Sequence, residues 1–184
     1  MRSVPVLLAS LAFAFASFAK KNPVQQRAST VTNRPPAAVV EFIGKDQFGA
    51  DFRSVAPFGK PLLVTLADQR GATQTGGWVS PLRERFGDGI LFLAVADVSA
   101  VPTGMREMIR RKFHEKYPRP MLMDWTGDLT RRMNAVRRRC NIYVVAPDGK
   151  VLAFHSGEAD EAALGKVCEL LTGLGVKPVS AKEK

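Results

Sequence analysis

The sequence predicts an α/β fold built on a mixed central sheet. Two nearly uninterrupted apolar runs, residues 61–67 and 90–96, have the length and composition of strands covered on both faces. The segment between them reads as a helix, so the pair forms a right-handed parallel crossover. A third apolar run, residues 141–145, is followed by the turn Ala146-Pro147-Asp148-Gly149 and a return over residues 150–155. A parallel pair and an antiparallel hairpin in one sheet make it mixed.

The elements follow in order. Residues 1–19 carry one charge at Arg2, an apolar run from Val4, and Ser17 and Ala19 spaced like a cleavage site, which predicts a secretory signal peptide. The run falls short of the ~20 apolar residues that span a bilayer. Residues 20–36, rich in Pro, Ser, Thr and Asn without apolar periodicity, read as a flexible linker. One domain is expected over 37–176. It opens with a strand at 38–43, a turn at 45–49 and a short return at 52–55, an N-terminal β-hairpin. A helix is expected from near Trp78. The next, over 105–116, places Met105, Met108, Ile109 and Phe113 on one face as core and Arg106, Arg110 and His114 on another. Pro118 and Pro120 end it, and residues 121–123 then read equally as a short strand or a loop entering Asp124. A short helix at 129–136 precedes the third strand. The final helix, 158–174, turns Leu164, Val167, Cys168, Leu171 and Leu174 inward, with Gly175 placed to stop it. Residues 177–184 read as a disordered tail.

Cys140 and Cys168 are the only cysteines, so disulfides are not the main source of stability in a chain bound for an oxidising space. The formal charge is +10. Residues 105–139 hold eleven Lys or Arg against four Asp or Glu, which concentrates the field there.

With the elements in this order, the chain resembles the thioredoxin-like superfamily, in its redoxin branch. The resemblance rests on FIGKDQFG at 42–49, GKPLLV at 59–64, VVAPDGKV at 144–151 and Ser156-Gly157, and covers about residues 38–174. It looks most like the small YtfJ-type periplasmic proteins, which share the signal peptide, a cysteine-free loop and a segment similar to ADVSAVPTGM at 96–105. The resemblance implies a thioredoxin-like three-layer sandwich with a mixed central sheet and an N-terminal β-hairpin. It brings no catalytic residues with it. The active-site-equivalent loop is Asp68, Thr73, Thr75 and Trp78, with no thiol where a redoxin has one, and Cys140 or Asn141 takes the place of the usual cis-proline. A threonine hydroxyl needs an adjacent base to act as a nucleophile, and none is visible. Thr73 and Thr75 are therefore expected to cap the helix at Trp78.

Cys140 follows Arg137-Arg138-Arg139, whose charge would lower a thiol pKa, and is the candidate catalytic residue; the alternative is a small semi-buried residue at a strand entrance. Cys168 reads as core. His114 and His155 read as solvated or hydrogen-bonded, and no cluster has metal-ligand spacing. Asp68, Asp97 and Asp124, each after an apolar run, are read as caps or as a gathered ligand crevice. Arg106, Arg110, Arg111, Arg137, Arg138 and Arg139 are candidate ligand-binding residues, on a face that is either simply solvated or binds an anionic envelope surface or an acidic protein. The function expected is that of a secreted or periplasmic binding or accessory protein, redox-inactive at the usual site. The alternative is a thiol-dependent oxidoreductase or peroxiredoxin-like enzyme using Cys140. No cofactor, metal or nucleic-acid partner is expected, nor a transmembrane segment once the signal is removed.

Overall fold

The computed structural model describes residues 40–179. Residues 1–19 and 20–36, read above as a signal peptide and a linker, lie outside them, as do residues 37–39 and 180–184. Five strands form the central sheet: β3 (Leu62–Ala67), β4 (Leu91–Asp97), β5 (Leu122–Asp124), β6 (Asn141–Val145) and β7 (Val151–Ser156), in the order β5-β4-β3-β6-β7. β3, β4 and β5 are parallel, while β6 runs antiparallel to both β3 and β7. A separate hairpin of β1 (Phe42–Lys45) and β2 (Asp51–Ser54) packs at the N-terminal end. Among the described residues four α-helices complete the fold, α1 (Thr75–Phe86), α2 (Arg106–Lys116), α3 (Asp128–Arg132) and α4 (Glu161–Gly173). This is the thioredoxin-like sandwich, mixed sheet and hairpin included.

Every residue of β3 and β6 is buried, which explains why their sequences show no polar alternation. Side chains still alternate between two cores. Leu62, Val64, Leu66, Tyr143 and Val145 join Phe42 of the hairpin and Leu129 and Met133 around α3 on one face. Leu63, Ile142 and Val144 join Trp78, Leu82 and Phe86 of α1 and Val167, Cys168 and Leu171 of α4 on the other.

Several boundaries differ from expectation. α1 begins at Thr75, three residues before Trp78, after a 3-10 turn over Gly71–Gln74. α3 stops at Arg132, short of Val136, because Asn134 turns left-handed at φ 51°. Residues 122–124 are a strand, closing the parallel half of the sheet. The α2 stripe is not full core. Met105 is 45% exposed, and Ile109 and Phe113 are half-buried against the small cluster of Ala96, Val98 and Met123. Leu174, expected inward, is exposed beyond the end of α4. Val179, inside the tail set off at 177, donates its N–H to the Arg85 carbonyl at 2.8 Å.

Candidate functional site

The carboxyl end of β3, the start of α1 and the entrance of β6 meet at one edge of the sheet. Asp68 organises the meeting. Its Oδ1 accepts from the Arg70 and Gly71 N–H groups at 3.0 and 2.9 Å, and its Oδ2 accepts from the Arg138 N–H at 2.8 Å. One carboxylate thus closes its own loop and pins the arginine loop to it. Gly71 is buried against that loop, where a β-carbon would lie 2.2 Å from the Arg139 carbonyl oxygen, so only glycine permits this approach.

Gln74 and Thr75 both face Cys140. The Cys140 N–H donates to Gln74 Oε1 at 2.9 Å, and Thr75 Oγ1 and Cys140 Sγ share a hydrogen bond of 3.4 Å. Neither Thr73 nor Thr75 caps α1, contrary to expectation: Thr73 Oγ1 donates to the Arg70 carbonyl at 2.9 Å, and the helix has no side-chain cap. The two hydroxyls are engaged by the Arg70 carbonyl and the Cys140 thiol instead. Asn141, first residue of β6, donates from Nδ2 to the carbonyls of Leu66, Val136 and Arg139 and accepts from the Val136 N–H. It ties β3 to the arginine loop. Trp78 is fully buried and donates from Nε1 to the Gly157 carbonyl at 2.9 Å, while the Gly157 N–H donates to the Cys140 carbonyl at 2.8 Å.

The structure therefore brings together Asp68, Thr75, Trp78, Cys140, Asn141 and the 137–139 loop. Gln74 belongs to the same site and was not predicted, since an isolated glutamine carries no local signal. Arg106, Arg110 and Arg111 sit on α2 instead. Arg106 donates to the Trp125 carbonyl and lies over the Trp125 ring, Arg110 pairs with Glu107 at 2.6 Å and donates to the Gln47 carbonyl, and Arg111 is exposed. Within the arginine loop Arg137 and Arg138 are exposed and Arg139 is half-buried. The cis peptide among the described residues precedes Pro57, not Cys140.

Cys140 has no exposed surface, and burial pushes its thiol pKa up, only partly opposed by the Thr75 hydroxyl. Cys140 and Cys168 are both free thiols in the same apolar cluster. The other two carboxylates act as local acceptors: Asp97 takes Ser99 Oγ at 2.6 Å, and Asp124 takes the Thr130 N–H and hydroxyl, both at 2.8 Å. His155 departs from expectation, being 3% exposed with no hydrogen bond to either ring nitrogen. Among the described residues no three His, Cys, Asp or Glu side chains are arranged to hold a metal ion, and no helix is long and apolar enough to cross a membrane.

No protein-family model matches the chain, and no curated protein matches it. Solved structures do. A putative thiol:disulfide interchange protein DsbE from Chlorobium tepidum matches with a TM-score of 0.58 and 17% identity, covering 78% of this chain and all of that one. The exposed lipoprotein thioredoxin Etrx1 of Streptococcus pneumoniae matches at 0.55 and 14%, covering 72% of this chain and all of that one. A DsbF homologue from Corynebacterium diphtheriae matches at 0.55 and 13%, covering 80% and 96%. At these identities the likeness is one of fold.

Proposed function

We propose that the protein is a thioredoxin-fold binding or accessory protein that engages an anionic partner through Arg137 and Arg138, without thiol chemistry. The observation that carries this is Arg138. It is exposed, yet its backbone is held in the left-handed region at φ 63°, which costs a non-glycine residue about 1 kcal/mol. Asp68 clamps its N–H in that conformation. A glycine would serve the turn at lower cost, so the strain supports a use for the side chain itself. The partner surface expected is an anionic envelope polymer or lipid headgroup, or an acidic protein, consistent with the signal peptide read in residues 1–19 and the YtfJ-type resemblance of residues 96–105.

The second reading, a thiol-dependent oxidoreductase using Cys140, is favoured by the names of its structural neighbours and by the place of this thiol beside the start of α1. Its burial and raised pKa weigh against it. Binding to vesicles of phosphatidylglycerol and to polyglutamate, measured from low to physiological salt, tests the first reading. The parent should bind and lose affinity steeply as the Debye length shrinks to about 8 Å. Arg137→Gln with Arg138→Gln should weaken binding at least tenfold at low salt with little change in melting temperature, since exposed arginines add little to stability. Equal binding by the double variant would remove this loop from the proposal.

A further inference from the structure

The Asp68 carboxylate accepts the Arg70 N–H on Oδ1 at 3.0 Å and the Arg138 N–H on Oδ2 at 2.8 Å, so two arginines far apart in the chain spring from points separated by the width of one carboxylate. Both are exposed. Neither side chain, nor that of Arg137, makes a hydrogen bond or ion pair with another described residue. Arg139 is set apart from them, its Nη1 lying 3.7 Å from the position a β-carbon would take on Gly157. Asp68 offers neither oxygen to a guanidinium, since both are taken up by backbone N–H groups. Residues 69–77 and 133–141 hold no other acid, which leaves four arginines against one aspartate where the two loops meet.

Given the anionic-partner reading of the arginine loop, on which this rests, we infer that Arg70 and Arg138 close together on one phosphomonoester group, with Arg137 beside it. A guanidinium presents a planar fork that grips two oxygens at once and keeps its charge at every physiological pH. A carboxylate has two oxygens and one charge, which a single fork satisfies. A phosphodiester likewise offers two free oxygens and one charge. A phosphomonoester has three terminal oxygens and a charge of about −1.5 to −2 near neutral pH, so it engages both forks and gains from the second. Asp68 fixes both hinge points before a ligand arrives, so binding has only the two side chains to order.

The test compares affinity for phosphatidylcholine vesicles doped with phosphatidic acid, a monoester, or with phosphatidylglycerol, a diester, at matched surface potential and low salt. The parent should favour phosphatidic acid by about tenfold, the gain of one further charge-assisted contact. Arg70→Gln should lose that preference and keep its melting temperature, since the bonds that Arg70 gives to the fold are made by its main chain. Arg70→Lys, which keeps the charge without the fork, should lose the preference as well. Arg53→Gln, which removes an exposed arginine of β2, should retain it. Release from the vesicle by free glycerol phosphate would assign the site to soluble phosphomonoesters, and persistence against it would assign the site to the lipid headgroup; each supports the pair. Arg70→Gln or Arg70→Lys preferring phosphatidic acid as the parent does, or a parent that binds phosphatidylglycerol or polyglutamate equally well, would overturn the inference, and the arginine-loop reading would stand so long as Arg137→Gln with Arg138→Gln still weakens binding. Absence of binding to all of these anions at low salt would overturn both.

Discussion

At Gly71 the absence of a β-carbon decides whether the two loops of the site can meet. The atoms such a carbon would strike belong to the backbone at Arg139 and Cys140, which cannot swing aside as a flexible side chain would. Gly71→Ala should therefore destabilise the protein by about 3 kcal/mol and separate the loops, measured by denaturant unfolding and by alkylation of Cys140 under native conditions. A stable Gly71→Ala protein with Cys140 still protected would show that the loops are held by other contacts. At this scale the sequence was informative about residue types and silent about partners. Asp68 was legible as an acid after a strand, and it does accept local N–H groups. Its bond to Arg138, across 70 positions, was not legible, nor was the choice of Gln74 to meet the Cys140 N–H. His155 was misread for the same reason: the aromatic ring that covers it comes from a distant helix.

Among the elements, the strands were read most closely because continuous apolar runs buried on both faces leave little freedom of assignment; residues 141–145 and β6 coincide. Helix starts were read less well. α1 begins early, with its start held by contacts to Cys140, just before β6, in place of a side-chain cap. α4 shows the opposite case, with local signals at both ends. Asp160 caps it by accepting from the Ala163 N–H at 2.7 Å. Gly175, at φ 84°, closes it with paired bonds, its own N–H to the Thr172 carbonyl and that of Val176 to the Leu171 carbonyl. Gly175→Ala should lower stability by about 1 kcal/mol without affecting the site, read from thermal melts beside polyanion binding. A loss of binding in that variant would mean that the end of α4 communicates with the arginine loop. The α2 stripe was overread because helical periodicity reports an apolar face and not how deeply it is covered.

Over the whole molecule, a mixed sheet with a parallel pair and an antiparallel hairpin was inferable from a few buried runs, which is why the fold was legible while the activity was not. A structure named as a putative thiol:disulfide interchange protein and one named as a DsbF homologue share this architecture at 17% and 13% identity, a level at which the fold persists while the chemistry of its loops is free to differ. Here the loop entering α1 holds Thr73 and Thr75, and the nearest sulfur, Cys140, is enclosed between β6 and that helix. Exchange between thiols and disulfides proceeds by attack of an accessible thiolate, and burial suppresses both access and ionisation. Reduction of insulin disulfides at neutral pH, with dithiothreitol as the terminal reductant, tests this account most directly. The parent and Cys140→Ser proteins should both give the rate of the reductant alone, whereas acceleration by the parent that Cys140→Ser abolishes would contradict the account and make Cys140 the centre of an enzyme.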